Sequence, residues 1–427
     1  MRRLLPLLAR LVALFLYRRL EVAGRQHVPA GRPVLIVANH AGGFLDPLLL
    51  AAALPRAPRF LAKATLARIP GVGPLLRVLG VIFVHRRVDG PAGTANEGAF
   101  AAAHAALVSR DLVAIFPEGT THDRPHLEPL RTGAARIALG ARAAGATDLV
   151  VVPAGLTFTD KVSLRASALV QFGSPLALDD LAAADVGVDD VEAVRALTAR
   201  FEQALEAVAP DFPDVETWLA FDQAAEIATR SRRRLEPPLA ERAALARRLG
   251  TVPEAAQRAV RDSVGRYATV LAGLRIDDRD VVAPVDTAGV ARRAVYTGVL
   301  IAVLGSLVTA TAVVNAIPAL LVAAVSLLVT RPVSKGTVRV LVGLVAFPAS
   351  WGTAAALAVD GAAAIAWLVV VFITGAVASL VLLDRAGSLV GALLRWRLTR
   401  ERIATLGDAA VLRQQVVDAV YAAEGMS

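Results

Sequence analysis

The sequence predicts an α/β domain with a mainly parallel sheet flanked by helices, followed by an α-helical insert and C-terminal transmembrane helices. Three observations support this prediction. Short β-rich apolar runs alternate with helical stretches over residues 23–178, which is typical of a parallel sheet with helical crossovers. Residues 179–291 are rich in Ala, Leu, Glu, Arg and Asp and have no strand signal. Residues 292–384 contain long runs without a charged residue, as membrane helices do.

The composition favours a protein that works at a membrane. Of the 427 residues, 56% are apolar and 19% are charged, and 46 basic against 37 acidic residues give a net charge of +9. A basic balance attracts anionic partners, either nucleic acid or a bilayer surface, and the apolar excess favours the bilayer. The absence of cysteine excludes disulfides, thiolate metal sites and a cysteine nucleophile. We therefore expect membrane lipids as partners, no nucleic acid and no metal site.

The N-terminal segment, residues 1–22, predicts an interfacial helix. Arg2, Arg3 and Arg10 share one face of this helix, and leucine and phenylalanine occupy the rest. Such a helix can lie on the surface of an acidic bilayer. It can equally be an ordinary amphipathic helix that caps the following domain, and both interpretations can hold together.

Residues 23–178 contain the predicted strands of the α/β domain. Several of the apolar runs are continuous rather than alternating, as expected for strands covered on both faces. Helices are predicted between strands, for example at Thr94–Ser109 and Arg131–Ala144. The predicted strands are Val34–Ala38, Arg59–Ala62, Val81–Val84, Leu112–Phe116, Leu149–Phe158 and Ala168–Phe172.

The last third of the chain predicts about four membrane segments. Its uncharged runs are Ala294–Thr330, Val340–Val359 and Gly361–Leu383, which are 37, 20 and 23 residues long. Because about 20 apolar residues span a bilayer, each shorter run fits one segment. The longest run is barely long enough for two segments, with a bend at Asn315–Pro318. Residues 385–427 predict a C-terminal amphipathic helix.

The distribution of basic residues predicts the orientation of these segments. With four segments, the clusters at Arg292–Arg293, at Arg331–Arg339 and after Asp384 all fall on one side, in agreement with the positive-inside rule. An odd number of segments would split the clusters between the two sides. We therefore expect an integral membrane protein whose α/β domain faces the cytoplasm.

The strongest local signal is the run Val34–Pro47, with the sequence VLIVANHAGGFLDP. A buried strand ends here and the chain turns through two glycines, so His40 follows the carboxyl end of a strand, where open α/β sheets bind ligands. Asp46 on the same loop can hold one ring nitrogen of the histidine. The other nitrogen can then accept a proton from a hydroxyl group that attacks a thioester.

A second loop, Phe116–Asp123 with the sequence FPEGTTHD, follows another predicted strand. Its glycine and hydroxyl residues allow backbone N–H groups to approach an anion closely. Lys63, one of three lysines in the chain, and Arg86 lie at the ends of further predicted strands and can bind a phosphate at the same edge of the sheet. The fourth piece of the candidate site is the run Val151–Gly155. It is a predicted strand whose proline directs the chain toward the same edge of the sheet.

These four pieces, in this order and spacing, resemble the glycerolipid acyltransferase superfamily, which includes the lysophosphatidate and glycerol-3-phosphate acyltransferases. The resemblance covers roughly residues 1–178. The second loop, followed by Leu130–Leu139, is most similar to the glycerol-3-phosphate branch. The resemblance implies transfer of an acyl group from acyl-CoA or acyl carrier protein to a glycerophosphate hydroxyl, with no further cofactor.

The resemblance also implies a role for each matching residue. His40 would act as the general base, and Asp46 would orient it. The residues expected to bind the acceptor or its phosphate are Lys63, Arg86, Glu118, Gly119, Thr120 and Arg131.

Two departures from the family pattern bear on these roles. Five residues separate His40 and Asp46 instead of the usual four, and the glycine pair between them can absorb the extra residue as a bulge. The arginine that commonly follows Glu-Gly-Thr is Thr121 here, so Arg124 or Arg131 would have to replace its phosphate contact.

The sequence therefore does not decide which acceptor the protein uses. The first hypothesis is a membrane acyltransferase of phospholipid synthesis that acts on glycerol-3-phosphate or lysophosphatidate. The alternative is an acyltransferase for another lysophospholipid or a glycolipid, because Thr121 replaces the arginine. A third hypothesis, a non-catalytic membrane scaffold or lipid-transfer protein, predicts lipid binding that does not depend on His40 or Asp46.

Overall fold

The chain divides into two compact units, Met1–Val215 and Glu216–Ser427. The computed structural model describes residues 4–68, 72–85, 96–161, 163–176, 178, 190–330, 332–401 and 403–425.

The first unit is built around a seven-stranded sheet. The strands are β1 (Tyr17–Ala23), β2 (Val34–Ala38), β3 (Arg59–Lys63), β4 (Ile82–Val84), β5 (Leu112–Ile115), β6 (Val150–Phe158) and β7 (Ala166–Phe172). Their order across the sheet is β1-β7-β6-β2-β5-β3-β4. Only β6 and β7 pair antiparallel, and all other neighbours are parallel. The predicted mainly parallel sheet is confirmed.

Both faces of the central strands are buried. Leu35 and Val37 of β2 belong to one core with residues of three helices, and the intervening Ile36, which points to the opposite face, is also fully buried. This double burial explains why the strands are continuous apolar runs. The helices of this unit are α1 (Leu5–Leu16), α2 (Leu45–Ala53), α3 (Val72–Val78), α4 (Glu97–Val108), α5 (Gly133–Ala143) and α6 (Val191–Glu206).

The N-terminal segment differs from the prediction of one helix over residues 1–22. Helix α1 ends at Leu16, and β1 pairs in parallel with β7. Tyr17 is buried, and its ring centroid lies 6.2 Å from that of Phe158. The segment becomes an edge strand because pairing with β7 satisfies its backbone groups and buries its first side chain.

Arg10 of helix α1 is hydrogen-bonded to the end of α2. Arg10 Nε donates to the carbonyl oxygen of Ala52 over 2.9 Å, at the C-terminal end of α2, while Ala9 and Ala13 are buried. Arg2 and Arg3 lie outside the described residues. Arg10 is exposed, and so are the large apolar side chains of Leu4, Leu7, Leu8 and Leu14.

Helix α6 moves the boundary of the α/β unit beyond residue 178. Val194, Leu197 and Phe201 form an apolar stripe at helical spacing, and all three are buried in the same core as β2 and β5. The sequence places these residues in a separate helical region because one amphipathic helix does not reveal which surface it covers.

The second unit is helical throughout its described residues, as predicted for the insert. The helices are α7 (Val215–Thr229), α8 (Leu239–Thr251), α9 (Glu254–Leu274), α10 (Asp278–Val282), α11 (Thr287–Leu327), α12 (Pro332–Ala358), α13 (Ala362–Glu401) and α14 (Ile403–Ala423). The predicted C-terminal helix over residues 385–427 is wrong in its boundaries, because α13 continues through residue 385 without a break and only α14 is separate.

A buried carboxylate joins four helical segments of this unit. Asp278 accepts hydrogen bonds from Tyr267 Oη and Arg413 Nε, both over 2.8 Å, and from Arg230 Nη1 over 2.6 Å. Arg230 is the first residue of the basic run RSRRR at residues 230–234. The guanidinium group of Arg230 is buried and paired with Asp278. The shared contacts of Asp278 hold α14 against the helical insert.

The described residues include three helices that are long and apolar enough to cross a membrane, in place of the four predicted segments. Helix α11 runs without interruption through the expected bend at Asn315–Pro318. The helix is not interrupted because Asn315 hydrogen bonds to neighbouring helices instead of capping a helix end, and adjacent helices let a membrane helix tolerate a proline.

Helices α11 and α13 run antiparallel. Trp396 Nε1 donates to Thr287 Oγ1 over 3.3 Å, and the guanidinium of Arg385 lies 5.1 Å from the ring centroid of Tyr296. The basic residues in the first turns of α11 and those in the last turns of α13 therefore share one end of the bundle. Lys335 follows the other end of α11, so the described basic clusters are not all on one side.

A polar cluster holds the three apolar helices together. Trp351 Nε1 donates to Asn315 Oδ1 over 2.9 Å, and Asn315 Nδ2 donates to the carbonyl oxygen of Phe372 over 3.3 Å. Ser350 Oγ donates to the carbonyl oxygen of Val314 over 2.8 Å. Interhelical hydrogen bonds of this kind hold helices together in an apolar environment, where hydrophobic burial contributes little.

We expect Asn315→Leu to lower the stability of the detergent-solubilised protein by about 1 kcal/mol, because the amide links α11 to both neighbours. Thermal unfolding measures the change. Val313→Leu, at a side chain that is 71% exposed on the same helix, is the control and should leave the melting temperature unchanged. An unchanged melting temperature for Asn315→Leu would contradict this role.

Candidate active site

The carboxyl ends of the parallel strands bring the predicted residues to one edge of the sheet. Strands β6, β2, β5 and β3 are neighbours in that order and point the same way. His40 follows β2, Glu118 follows β5, and Lys63 is the last residue of β3. Arg86, predicted to bind phosphate, lies outside the described residues.

His40 and Asp46 form the predicted pair. His40 Nδ1 lies 2.9 Å from Asp46 Oδ2, and the carboxyl group of Asp46 is completely buried. The imidazole ring stacks on Phe116 with 4.3 Å between the ring centroids. Nε2 has no hydrogen-bond partner within the described part of the chain. An ionised Asp46 accepts from Nδ1–H, which leaves the Nε2 lone pair available for a proton.

The two glycines absorb the extra residue between His40 and Asp46. Gly43 has a φ of +63°, which L side chains rarely adopt. A Cβ on Gly42 would lie 2.5 Å from Asp46 Oδ1 and 2.6 Å from the ring of Phe158. The Gly42 N–H also donates to Asp46 Oδ2 over 2.8 Å. The loop therefore closes on the carboxylate only because both positions lack a side chain.

Asn39 fixes the end of β2 beside β6. Its Nδ2 donates to the carbonyl oxygen of Leu156 over 3.1 Å, and its Oδ1 accepts from the Leu156 N–H over 2.7 Å. This reciprocal pair continues the sheet one residue beyond the strand and holds the backbone before His40. No sequence motif predicts this role of Asn39. The signal that could have indicated it is the position of a polar residue directly after an apolar strand.

Glu118, which the resemblance places in the acceptor-binding loop, lies buried beneath that loop. Its Oε1 accepts from the backbone N–H of His40 over 2.6 Å. Its Oε2 accepts from His122 Nε2 over 2.5 Å and from the Glu128 N–H over 3.2 Å. Through these contacts Glu118 ties the second loop to the backbone of His40.

Gly119, Thr120 and Arg131 lie at the surface of the same loop. Gly119 has a φ of +67°, and a Cβ on it would lie 2.6 Å from Arg131 Nε. Arg131 Nε donates to the carbonyl oxygen of Glu118 over 3.3 Å, and Thr120 is exposed. Arg124, the other candidate for the missing arginine, pairs with Glu128.

The bond to Glu118 raises the pKa of His122; burial lowers this pKa to a smaller extent, Glu128 raises it further and Lys161 lowers it. A raised pKa means that the charged pair stabilises the fold fully below the unfolded pKa of about 6.5, and that this stabilisation is lost as the pH rises through the folded pKa.

We therefore expect the wild-type protein to lose thermal stability with rising pH above about 6.5, relative to His122→Gln, which keeps a hydrogen-bond donor but cannot titrate. Melting temperatures of both proteins across this range measure the difference. Parallel pH curves for the two proteins would show that the histidine carries no linked charge.

Comparisons with known proteins identify acyltransferases among the relatives of this chain. A protein-family profile named Acyltransferase matches residues 19–157. The chain is 34% identical over 122 residues to glycerol-3-phosphate O-acyltransferase 2 of Saccharomyces cerevisiae, covering 28% of this chain and 16% of that protein. It is 33% identical over 123 residues to a 1-acyl-sn-glycerol-3-phosphate acyltransferase of Borreliella burgdorferi, covering 28% and 46%.

Two further comparisons were found. A lysophospholipid acyltransferase of Arabidopsis thaliana is 36% identical over 108 residues, covering 24% of this chain and 26% of that protein. The crystal structure of a 1-acyl-sn-glycerophosphate acyltransferase from Thermotoga maritima is similar with a TM-score of 0.35 and 19% identity, covering 47% of this chain and 77% of that one. The chain spans less than half the length of each curated relative named here.

Proposed function

Because the domain at residues 19–157 belongs to the glycerolipid acyltransferase superfamily, we propose that this protein is a membrane-bound O-acyltransferase of phospholipid synthesis. It transfers a fatty acyl group from acyl-CoA or acyl carrier protein to a hydroxyl of glycerol-3-phosphate or lysophosphatidate. The observation that carries the proposal is the contact between His40 Nδ1 and the buried carboxylate of Asp46.

The proposed reaction is a direct transfer. His40 Nε2 removes the proton of the acceptor hydroxyl, and the oxygen attacks the thioester carbonyl. The tetrahedral intermediate collapses with cleavage of the C–S bond, and the leaving thiolate takes the proton from the imidazolium. Asp46 keeps the ring in the reactive tautomer and stabilises the imidazolium. The chain has no cysteine to form a thioester intermediate.

The location at a membrane rests on the apolar surfaces. Three helices are long and apolar enough to span a bilayer, and the exposed leucines of α1 suit an interfacial position. The shared basic end of α11 and α13 suits the cytoplasmic side, where acyl donors are available. Membrane lipids and the acyl donor are therefore the proposed partners, with the catalytic domain on the cytoplasmic face.

An acyltransferase assay on isolated membranes with a panel of labelled acceptors tests this proposal. Glycerol-3-phosphate or lysophosphatidate should be acylated by the wild type, and His40→Ala should abolish transfer. The matched control is His27→Ala, because the hydrogen bond that His27 makes, to the carbonyl oxygen of Phe172 at 3.0 Å, lies outside the site. Full activity of His40→Ala would overturn the role of His40, whereas lipid binding without acyl transfer by the wild type would favour the lipid-binding scaffold.

A second candidate acceptor is another lysophospholipid or a glycolipid. Thr121 in place of the arginine favours it, and one relative is described as a lysophospholipid acyltransferase. Labelling of such an acceptor, with none of glycerol-3-phosphate or lysophosphatidate, would select this alternative.

A further inference from the structure

Lys161 lies on the turn between β6 and β7, near the end of the strand that neighbours β2. Strand β6 is the immediate neighbour of β2 in the sheet, and Ala154 of β6 pairs with Ala38 of β2. Neighbouring strands lie about 5 Å apart. Because β6 continues past this pair to Phe158, its end runs alongside the loop that carries His40. Lys63, in contrast, lies on β3, two strands from β2 on the other side.

The electrostatic surroundings of Lys161 are those of the active site. Its ammonium interacts with the carboxylates of Asp123, Asp46 and Glu118, and with the imidazole of His122. Three of these four residues flank position 121, where the arginine of the family pattern is missing. Lys161 therefore places a positive charge close to position 121.

Lys161 has no hydrogen bond or ion pair with any described residue, although its side chain is partly buried. Burial lowers the pKa of its ammonium group, and this effect outweighs the three carboxylates, which raise the pKa. A desolvated ammonium with three unused donors gains strongly from an anion that binds directly. The other cations of this loop, Arg124 and Arg131, already have partners.

We propose that Lys161 binds the phosphate group of the acceptor and supplies the cation that position 121 lacks. This inference rests on the proposed function. In a glycerophosphate the reacting hydroxyl and the phosphate lie within one three-carbon unit, so the phosphate must bind close to His40 Nε2. The phosphates of an acyl donor are separated from the thioester by a long arm and do not meet this requirement.

Steady-state kinetics of Lys161→Gln test the proposal. The KM for the phosphorylated acceptor should rise about 10- to 100-fold, as expected for the loss of a charged hydrogen bond. The KM for the acyl donor should stay unchanged, and kcat should change far less than the acceptor KM. Inorganic phosphate should inhibit the wild type competitively against the acceptor, and this inhibition should weaken in the variant.

Two variants keep the test specific. Lys161→Arg preserves the charge and should restore most of the acceptor affinity. Asp160→Asn alters the neighbouring residue of the same turn, which bonds to Ser163, and should leave the acceptor KM unchanged. Melting temperatures show whether each variant is folded.

The outcomes separate this proposal from the proposed function. If the wild type transfers acyl groups but Lys161→Gln keeps the wild-type acceptor KM, Lys161 does not bind the acceptor phosphate. A rise in donor KM alone would assign the lysine to the donor and overturn the proposal. A wild type that acylates no member of the acceptor panel would contradict the proposed function itself.

Discussion

Replacing Asp46 by asparagine should lower the kcat of acyl transfer by about 10³- to 10⁴-fold. The side chain keeps its size, and its amide oxygen can still accept from His40 Nδ1 and from the Gly42 N–H, which both contact Oδ2 in the wild type. The negative charge is lost. The imidazolium that forms during transfer then has no buried counter-charge, and the ring is no longer held in one tautomer.

Stopped or continuous assays of thiol release measure this loss, and circular dichroism with a melting curve shows that the fold is retained. A fall in kcat with a nearly constant acceptor KM is expected, because Asp46 acts on the transition state and does not contact the acceptor. If Asp46→Asn kept more than a tenth of the wild-type kcat, a simple orienting role for Asp46 would be untenable.

Removing the carboxylate of Glu118 should have the second large effect, on stability. Glu118→Ala leaves three partly buried donors without their acceptor: the N–H groups of His40 and Glu128 and the imidazole of His122. Loss of one partner of a buried charged pair costs about 3–5 kcal/mol. We expect a destabilisation of that size, together with loss of activity, because the backbone of the general base is released.

Hydrogen exchange of the amides in β2 and β5 measures this effect locally. A local measurement is needed because the chain has two units, and proteins with several units do not in general unfold in one two-state transition. The control is Glu97→Ala, at an exposed acidic residue in the first turn of α4. Unchanged protection of both strands in Glu118→Ala would mean that the second loop does not hold the His40 backbone.

Much of the sheet could be predicted because its strands are buried on both faces. Continuous apolar runs such as Val34–Ala38 mark such strands without any tertiary information, and this strand has the predicted bounds. The pairing of His40 with Asp46 was also predictable, since both residues lie on one short loop at the end of a strand.

Elements whose state depends on a neighbour could not be predicted in the same way. Residues 17–23 carry mixed polar and apolar side chains and become a strand only because β7 offers an unpaired edge. The apolar face of α6 could pack on any apolar surface. Only the folded structure shows that it packs against the sheet. Asn315 resembles a turn residue until its partners on α12 and α13 are present.

The sequence by itself determined the α/β class, the pairing of His40 with Asp46 and the apolar character of the last third, because periodicity, loop length and charge are local properties. The tertiary structure decided the number of long apolar helices among the described residues, the buried position of Glu118 and the position of Lys161 near Asp46 and Glu118. Each of these depends on which segments become neighbours in space. Strand order alone brings the ends of β6 and β2 together across more than a hundred residues of chain.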